Sequence, residues 1–193
     1  RSYVKAVNNR NDTPSVRYRI GYIQYMAANF AEALGSFIRA LEDNPTDTHL
    51  LLALANTLSL RNDNYAAQGY YEKLLGVLNN EIALHNVLLP QVREDQGDLV
   101  ETYMKASNNM GVTLSRIATL TGDSRANAQS IVTLQNSLRA WDALTRNQDT
   151  MVRLEGSNLA EQNIKYITNP SFGYESEIYT QIPKTLVGDK GLD

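Results

Sequence analysis

The sequence predicts an all-α protein built from repeated pairs of antiparallel helices, and three observations carry this prediction. Small and aromatic residues recur with a period of 34 residues, so that Ala33 reappears as Ala67 and Phe37 as Tyr71. Within each period, apolar residues are three or four positions apart, which is typical of a helix with one buried face. Residues that begin or end helices separate these stretches, among them Asn44-Pro45.

The first complete unit covers about residues 14–47. Thr13 and Pro14 predict its beginning, because a threonine oxygen can accept an amide hydrogen bond and a proline at the first helical position lacks an amide that would need one. The unit ends near Asn44, since the residue before a proline is disfavoured in the helical region. We expect Gly21 and Ala33 to lie where the two helices cross, because small side chains allow close approach there.

A second unit covers about residues 48–81, and the strict period then breaks. Gly111, the next small residue in an equivalent position, lies 56 residues after Ala55 instead of 34. The excess of 22 residues corresponds to about six helical turns, or about three in each of two helices. We therefore predict an elongated helical hairpin in a divergent unit at about residues 82–147, with one helix reaching about Leu89 and its partner running from about Asp98 to Leu120.

The two ends of the chain differ from these units. Residues 1–11 are expected to be a partial unit that keeps only its second helix, so that the chain would be a fragment or a processed product of a longer array. A capping helix is predicted at about residues 157–168 and would complete an array over residues 1–168. In residues 169–193, prolines and glycines interrupt any longer helix, so we expect an extended tail.

The expected tail carries apolar side chains whose exposure would cost about 25 cal/mol per Å² of surface. We therefore expect the tail to pack on the array, either as a structural lid or in the place of a partner. Its predicted anchors are Phe172, Tyr174, Ile178, Tyr179 and Ile182.

Composition and motifs exclude several kinds of chemistry. The formal net charge of −3 provides no excess of basic residues for binding a phosphate backbone, so no nucleic-acid partner is predicted. Cysteine is absent, which excludes disulfides and thiolate metal sites. His49 and His85 lack recognisable catalytic or zinc-binding partners, and no glycine-rich phosphate motif occurs. We predict no catalytic residues, no metal and no cofactor.

One family shares these landmarks. With a unit that begins at Pro14, the chain resembles the tetratricopeptide repeat (TPR) family in its small, aromatic and proline positions, although Arg17 and Gln24 depart from the pattern. The resemblance implies a right-handed solenoid of antiparallel helix pairs that binds a protein or a peptide. The matching residues are Ile20, Gly21, Ala33, Phe37, Ala40 and Pro45.

In the TPR family, the first helix of each unit lines a concave groove, and these positions can be carried over to the chain residue by residue. The three tyrosines of the first unit would form one stripe suited to peptide recognition; packing of these rings against neighbouring helices is the alternative. The implied groove residues are Tyr18, Tyr22, Tyr25, Met26, Leu52, Asn56, Lys105, Asn108 and Arg116.

Some co-chaperones of the TPR family hold the carboxylates of a peptide C-terminus in a clamp of lysine, asparagine and arginine. Of the five corresponding positions here, only one carries the residue of the family pattern, which argues against that ligand and favours a less anionic, more apolar one. The five positions are Tyr18, Tyr22, Ala53, Lys105 and Asn109.

These observations favour a non-enzymatic scaffold that binds partners through the groove, the elongated hairpin or array stacking, with self-association left open. NNMGVTLSRIATLTGD, SLRAWDALTRN and MVR are also similar to periplasmic TPR proteins of the spirochaetal flagellar collar, which would imply a bacterial periplasmic assembly; the composition itself leaves the compartment undetermined. A small-molecule or enzymatic module around Tyr22, His49 and Arg116 is an alternative of another class. A helical repeat that reads RNA is disfavoured by the charge.

Overall fold

The computed structural model describes residues 12–146 and 157–189. The described residues contain seven α-helices, which confirms the all-α prediction, while the expected partial unit at residues 1–11 lies outside them. None of the described helices is both long and apolar enough to cross a membrane. The helices are α1 (Pro14–Met26), α2 (Phe30–Asp43), α3 (Thr48–Leu60), α4 (Asn64–Leu84), α5 (Gly97–Thr121), α6 (Ser124–Arg146) and α7 (Leu159–Thr168).

The chain divides into two compact units, which we call unit 1 and unit 2. Unit 1 holds the chain up to Leu74 together with the residues from Thr180 onward, and unit 2 holds Leu75–Tyr179. Helix α4 therefore passes from unit 1 into unit 2 after Leu74. The extended chain that follows α7 passes from unit 2 into unit 1 after Tyr179.

In unit 1, α1 and α2 pack closely because a glycine faces an aromatic ring. A Cβ atom added at Gly21 would lie 2.6 Å from Cε1 of Phe37, so the backbone of α1 approaches α2 to a distance that a side chain would prevent. The rings of Tyr18 and Phe37 have centroids 5.4 Å apart. Ala33 and Ala40 are fully buried on α2.

Short polar side chains cap the N-termini of α1 and α3. Thr13 Oγ1 accepts the amide hydrogen bond of Val16 at 3.2 Å, immediately before Pro14 at the first helical position. Asp47 Oδ1 does the same for Leu50 at 3.1 Å and begins α3. These caps satisfy amides that the first helical turn leaves without a partner.

Three helices end in the same way, with one residue in the left-handed region. The left-handed residues after α1, α3 and α4 are Ala28 (φ 59°), Asn62 (φ 59°) and Asn86 (φ 50°). In each case, the amide of the next residue donates to a carbonyl five positions back, as in Val87 to Ile82 at 3.0 Å; this pattern is the Schellman motif. The expectation that α4 reaches about Leu89 is wrong, because this motif ends the helix at Leu84.

In unit 2, α5 and α6 form an antiparallel pair whose contact is made by small residues. Ser130 Oγ donates to the carbonyl of Gly111 at 2.6 Å, and Ser137 Oγ donates to that of Met104 at 2.8 Å. A Cβ at Gly111 would lie 2.6 Å from Cγ of Leu134. The serine hydroxyls therefore find hydrogen-bond partners in the backbone of α5. Because serine side chains are small, they also allow the two helices to lie close together.

The buried face of α6 consists mostly of small residues. Three of the helix's large apolar side chains, those of Ile131, Leu138 and Trp141, are only half-buried. Small residues predominate on the face of α6 that meets α5, and the bulky residues lie at the margins of that face. Its buried residues are Ala126, Ser130, Leu134, Ser137, Ala140 and Leu144.

Candidate functional site

The chain from Gly173 to Asp189, here called the C-terminal segment, forms no helix or strand until a short 3₁₀ turn at Val187–Asp189. Two groups of side chains hold it, one in each unit. In unit 1, side chains of α1, of α3 and of the residue before α3 bind the part from Thr180 onward, and we call them the tyrosine surface. In unit 2, asparagines of α5 and α7 bind the part up to Tyr179, and we call them the asparagine clamp.

The tyrosine surface donates hydrogen bonds to carbonyl oxygens of the segment. The hydroxyl of Tyr25 donates to the carbonyl of Thr180, and the hydroxyl of Tyr18 donates to that of Pro183. Tyr18 and Tyr25 are seven residues apart on α1, about two turns, which places both on the same face of the helix. Two of the three tyrosines in the stripe implied by the TPR resemblance, Tyr18 and Tyr25, therefore bind main-chain groups of the chain's own segment.

Three further side chains complete the tyrosine surface. Arg19 Nη1 donates to the carbonyl of Lys184 at 3.0 Å, and His49 Nδ1 lies 2.8 Å from the carbonyl oxygen of Thr185, so this nitrogen must carry the proton. The amide of Val187 donates to Asp47 Oδ2 at 2.9 Å. Asp47 thus uses one carboxylate oxygen to cap α3 and the other to hold the segment.

Burial keeps the phenols of the tyrosine surface protonated. It raises the pKa of Tyr18 and of Tyr25 well above the ordinary value, because the anion would lose its hydration. The hydroxyls therefore remain hydrogen-bond donors across the neutral range. They are suited to binding a carbonyl and poorly suited to proton transfer or nucleophilic attack at neutral pH.

The asparagine clamp binds both the amide and the carbonyl of alternate residues. Asn109 accepts from the amide of Tyr179 at 2.7 Å and donates to its carbonyl at 2.9 Å. Asn163 makes the same pair of bonds with Glu177, both at 2.9 Å. Asn108 adds a bond to the carbonyl of Glu177 at 3.1 Å and accepts one from Asn163 at 2.8 Å. The carboxamide suits this task because it carries a donor and an acceptor side by side.

Tyr179 also anchors the segment through its side chain. Its hydroxyl donates to the carbonyl of Ser157 at 3.0 Å and accepts from the amide of Leu159 at 3.1 Å, so it satisfies an amide at the beginning of α7. Its ring belongs to the apolar core of unit 2, with Val87, Val92, Val100, Met104, Ala140 and Leu144.

The groove residues implied by the TPR resemblance have different surroundings in the structure. Tyr18, Tyr25 and Asn108 bind the segment in their respective units, and Asn56 is buried and accepts a bond from Tyr71 at 2.6 Å. Tyr22 is half-buried, Leu52 is buried, and Met26 is 63% exposed at the end of α1. Lys105 pairs with Glu101 at 3.4 Å on α5, and Arg116 is half-buried.

The predicted tail anchors can be placed in the same way. Ile178, Tyr179 and Ile182 are buried, and the ring of Tyr174 lies edge-on to that of Tyr166 with centroids 6.4 Å apart. The side chain of Phe172 lies outside the described part of the structure. Leu186, which is also buried, was not among the predicted anchors.

Three polar residues of the site were missing from the sequence-based prediction of it. Asp47 and Asn163 were not considered, and Asn109 was considered only as a carboxylate-clamp position. A signal existed for Asn109, because it follows the apolar residue Ala106 by three positions and so lies on the same side of a helix. A buried polar residue requires a hydrogen-bond partner there.

The site offers donors and acceptors for a peptide backbone. Within the described residues, no group of three or more histidine, aspartate or glutamate side chains could hold a metal ion. In comparisons with known proteins, no family model matches the chain and no curated protein matches it significantly.

Proposed function

We propose that the chain is a non-enzymatic scaffold for protein–protein interaction, built as a TPR-like right-handed solenoid of helix pairs. In this proposal, its helices bind an extended segment of a protein partner. The observation that carries it is the hydrogen bonding of the C-terminal segment, in which side chains of the helices bind main-chain amides and carbonyls of a peptide without helix or strand.

Main-chain recognition supports a peptide-binding role for a physical reason. Every extended peptide presents the same carbonyls and amides, whatever its sequence, so a surface that binds them provides affinity. The apolar side chains of the ligand then provide specificity through the pockets that they fill. The segment shows both features, since Ile182 and Leu186 are buried while its carbonyls are hydrogen-bonded.

The protonation states also support binding over catalysis. A general base at neutral pH needs a pKa near that range, whereas burial raises the pKa of Tyr18 and Tyr25 away from it. His49 and Asp47 are engaged with the segment backbone. A small-molecule module around Tyr22, His49 and Arg116 would instead be favoured by a thermal shift that one metabolite or metal produces and that Tyr22→Phe abolishes.

The proposal can be tested by site-specific photo-crosslinking in native extract. A photoreactive residue at position 22 or 26 of the full-length protein places the probe on α1, next to the tyrosines that hold the segment. We expect both positions to crosslink the same partner, through one continuous stretch of its sequence.

A probe at Ile38, which is 43% exposed on α2, is the matched control. It should not capture that stretch. Identical products from positions 22, 26 and 38, or products confined to the chain's own peptides, would contradict a partner-binding role for this surface.

A further inference from the structure

The tyrosine surface defines the kind of partner that fits it. We propose that this surface binds an extended segment of another protein with the pattern apolar-Pro-x-x-apolar, and that Ile182–Leu186 of this chain is an internal competitor for the same place. This inference rests on the proposed function, because it names the ligand class and the regulation of the same surface.

The pattern of hydrogen bonds explains the proline. Three successive carbonyls, those of Pro183, Lys184 and Thr185, each meet a different side chain of the tyrosine surface. A proline keeps its carbonyl but has no amide, so it fits where carbonyls are bound and would be excluded from the middle of a ladder that uses both groups. Its fixed φ angle also lowers the entropy lost when the segment becomes ordered.

The burial of side chains supplies the other two positions of the pattern. Ile182 is 5% exposed and Leu186 is 3% exposed, whereas Thr180 and Lys184 point to solvent. The buried pair brackets Pro183 and leaves two positions between the proline and Leu186. The surface therefore distinguishes ligands by two apolar side chains at a fixed spacing around a hydrogen-bonded backbone.

The same contacts make the chain's own segment displaceable. Residues 180–186 contribute no helix or strand that would have to unfold, and each of their bonds to the surface could be replaced by an equivalent bond to a partner. Because the segment is tethered, its effective concentration at the surface is high, in the millimolar range for short flexible tethers. A partner segment should therefore bind weakly until the internal one is weakened or outcompeted.

The test is fluorescence anisotropy with a labelled peptide of sequence YTQIPKTLVGD and the full chain. The substitutions Ile182→Asp and Leu186→Asp in the chain should open the surface and increase the affinity for the peptide at least tenfold relative to the unaltered chain. The control pair Asn127→Asp and Gly188→Asp adds the same charge at exposed positions and should leave the affinity unchanged. Equal affinity of the opened and unaltered chains would overturn the proposal.

Two peptide variants test the pattern. A peptide with both Ile182→Asp and Leu186→Asp should show no specific binding to the opened chain, and a Pro183→Ala peptide should bind about three- to tenfold more weakly than the original, since proline pre-organises the extended form. If the aspartate peptide bound as well as the original, the apolar positions would be refuted. If the alanine peptide did, the proline would be refuted.

A second measurement avoids dependence on the opened variant. Hydrogen exchange of the unaltered chain is followed with and without a millimolar Lys184→Arg peptide, which mass spectrometry distinguishes from the chain. Added peptide should accelerate exchange in residues 180–189. Unchanged exchange would overturn the proposal, and so would concentration-dependent dimers that Ile182→Asp with Leu186→Asp abolishes, because these would assign the surface to a second copy of the chain.

The failure of this inference can be told from the failure of the proposed function. If position 26 crosslinks a partner but the opened chain does not bind the YTQIPKTLVGD peptide, the scaffold role stands and the assigned ligand class is refuted. Peptide binding to the opened chain without any crosslinked partner would leave the ligand class standing and contradict the scaffold role.

Discussion

The two halves of the C-terminal segment are held by different chemistry. In unit 2, the asparagine clamp binds amides and carbonyls together, and the ring of Tyr179 is part of an apolar core. In unit 1, the tyrosine surface mostly binds carbonyls, and the segment contributes two buried aliphatic side chains. One half is therefore built into the unit that holds it, whereas the other resembles a ligand.

This difference indicates which half of the C-terminal segment a partner's peptide could replace. Removing the half at the clamp would take away the main-chain partners of three fully buried asparagines, and a buried polar group that loses a hydrogen bond is costly. Removing the half at the tyrosine surface would expose hydroxyls at the tips of aromatic side chains, which water can reach and satisfy.

Asn109→Ala should have the largest effect on stability. It removes the hydrogen bonds that Asn109 makes to the amide and to the carbonyl of Tyr179 in a buried environment, at about 1–3 kcal/mol for each group. We expect the free energy of unfolding, measured by circular dichroism in urea, to fall by about 2–5 kcal/mol. Asn127→Ala on the exposed face of α6 is the control and should change it by less than about 0.5 kcal/mol. Equal effects of the two variants would refute the structural role of the clamp.

Alkaline pH should destabilise unit 1 through its tyrosines. Burial raises the folded-state pKa of Tyr18 and Tyr25 above the ordinary tyrosine value of 10.0, so folded and unfolded chains carry the same protons below pH 10. Above pH 10, the unfolded chain releases protons that the folded chain retains, and stability falls by about 1.4 kcal/mol per pH unit for each tyrosine.

The measurement is the free energy of unfolding between pH 9 and 11, with phenolate absorbance recorded in parallel. Replacing both tyrosines with phenylalanine should reduce the slope above pH 10, because the phenols responsible for it are gone. An unchanged slope in the double variant would show that other groups cause the alkaline loss.

Tyr179→Phe should have a smaller effect within unit 2. The ring still fills the apolar core, but the amide of Leu159 and the carbonyl of Ser157 lose the hydroxyl that joins them. We expect a loss of about 1–2 kcal/mol in urea unfolding. Tyr65→Phe, at a tyrosine that is 63% exposed on α4, should be nearly neutral. If the two variants behaved alike, the hydroxyl of Tyr179 would not anchor the beginning of α7.

Much of the fold could be predicted from the sequence because its signals are local. Thr13-Pro14 and Asn44-Pro45 mark helix ends through backbone geometry that the neighbouring residues determine. Asn86 could not be recognised as the end of α4, since asparagine adopts the left-handed conformation in some contexts and continues a helix in others.

The candidate site was harder to predict because it joins residues far apart in the chain. Tyr18 and Tyr25 were identified from the register of a repeat, but their partners are carbonyls, which every sequence contains at every position. Asn163 and Glu177 meet through main-chain bonds that leave no mark on residue choice at position 177. The sequence of the helices therefore indicates which side chains can bind a peptide backbone, whereas the sequence of the segment does not indicate which of its residues are bound.

Ala28→Gly should have the smallest effect on stability, and it alters unit 1 at a position outside the C-terminal segment. Ala28 adopts φ 59° at the end of α1, where a side chain is strained and glycine is not. Ala28→Gly should therefore raise the free energy of unfolding by about 0.5–1 kcal/mol, whereas Ala27→Gly, at φ −85°, should not raise it. If hydrogen exchange in residues 180–189 stays the same in Ala28→Gly while unfolding becomes harder, opening of the segment is separate from unfolding of the helices. Exchange that slows in proportion to the added stability would instead mean that the segment leaves only when α1 unfolds.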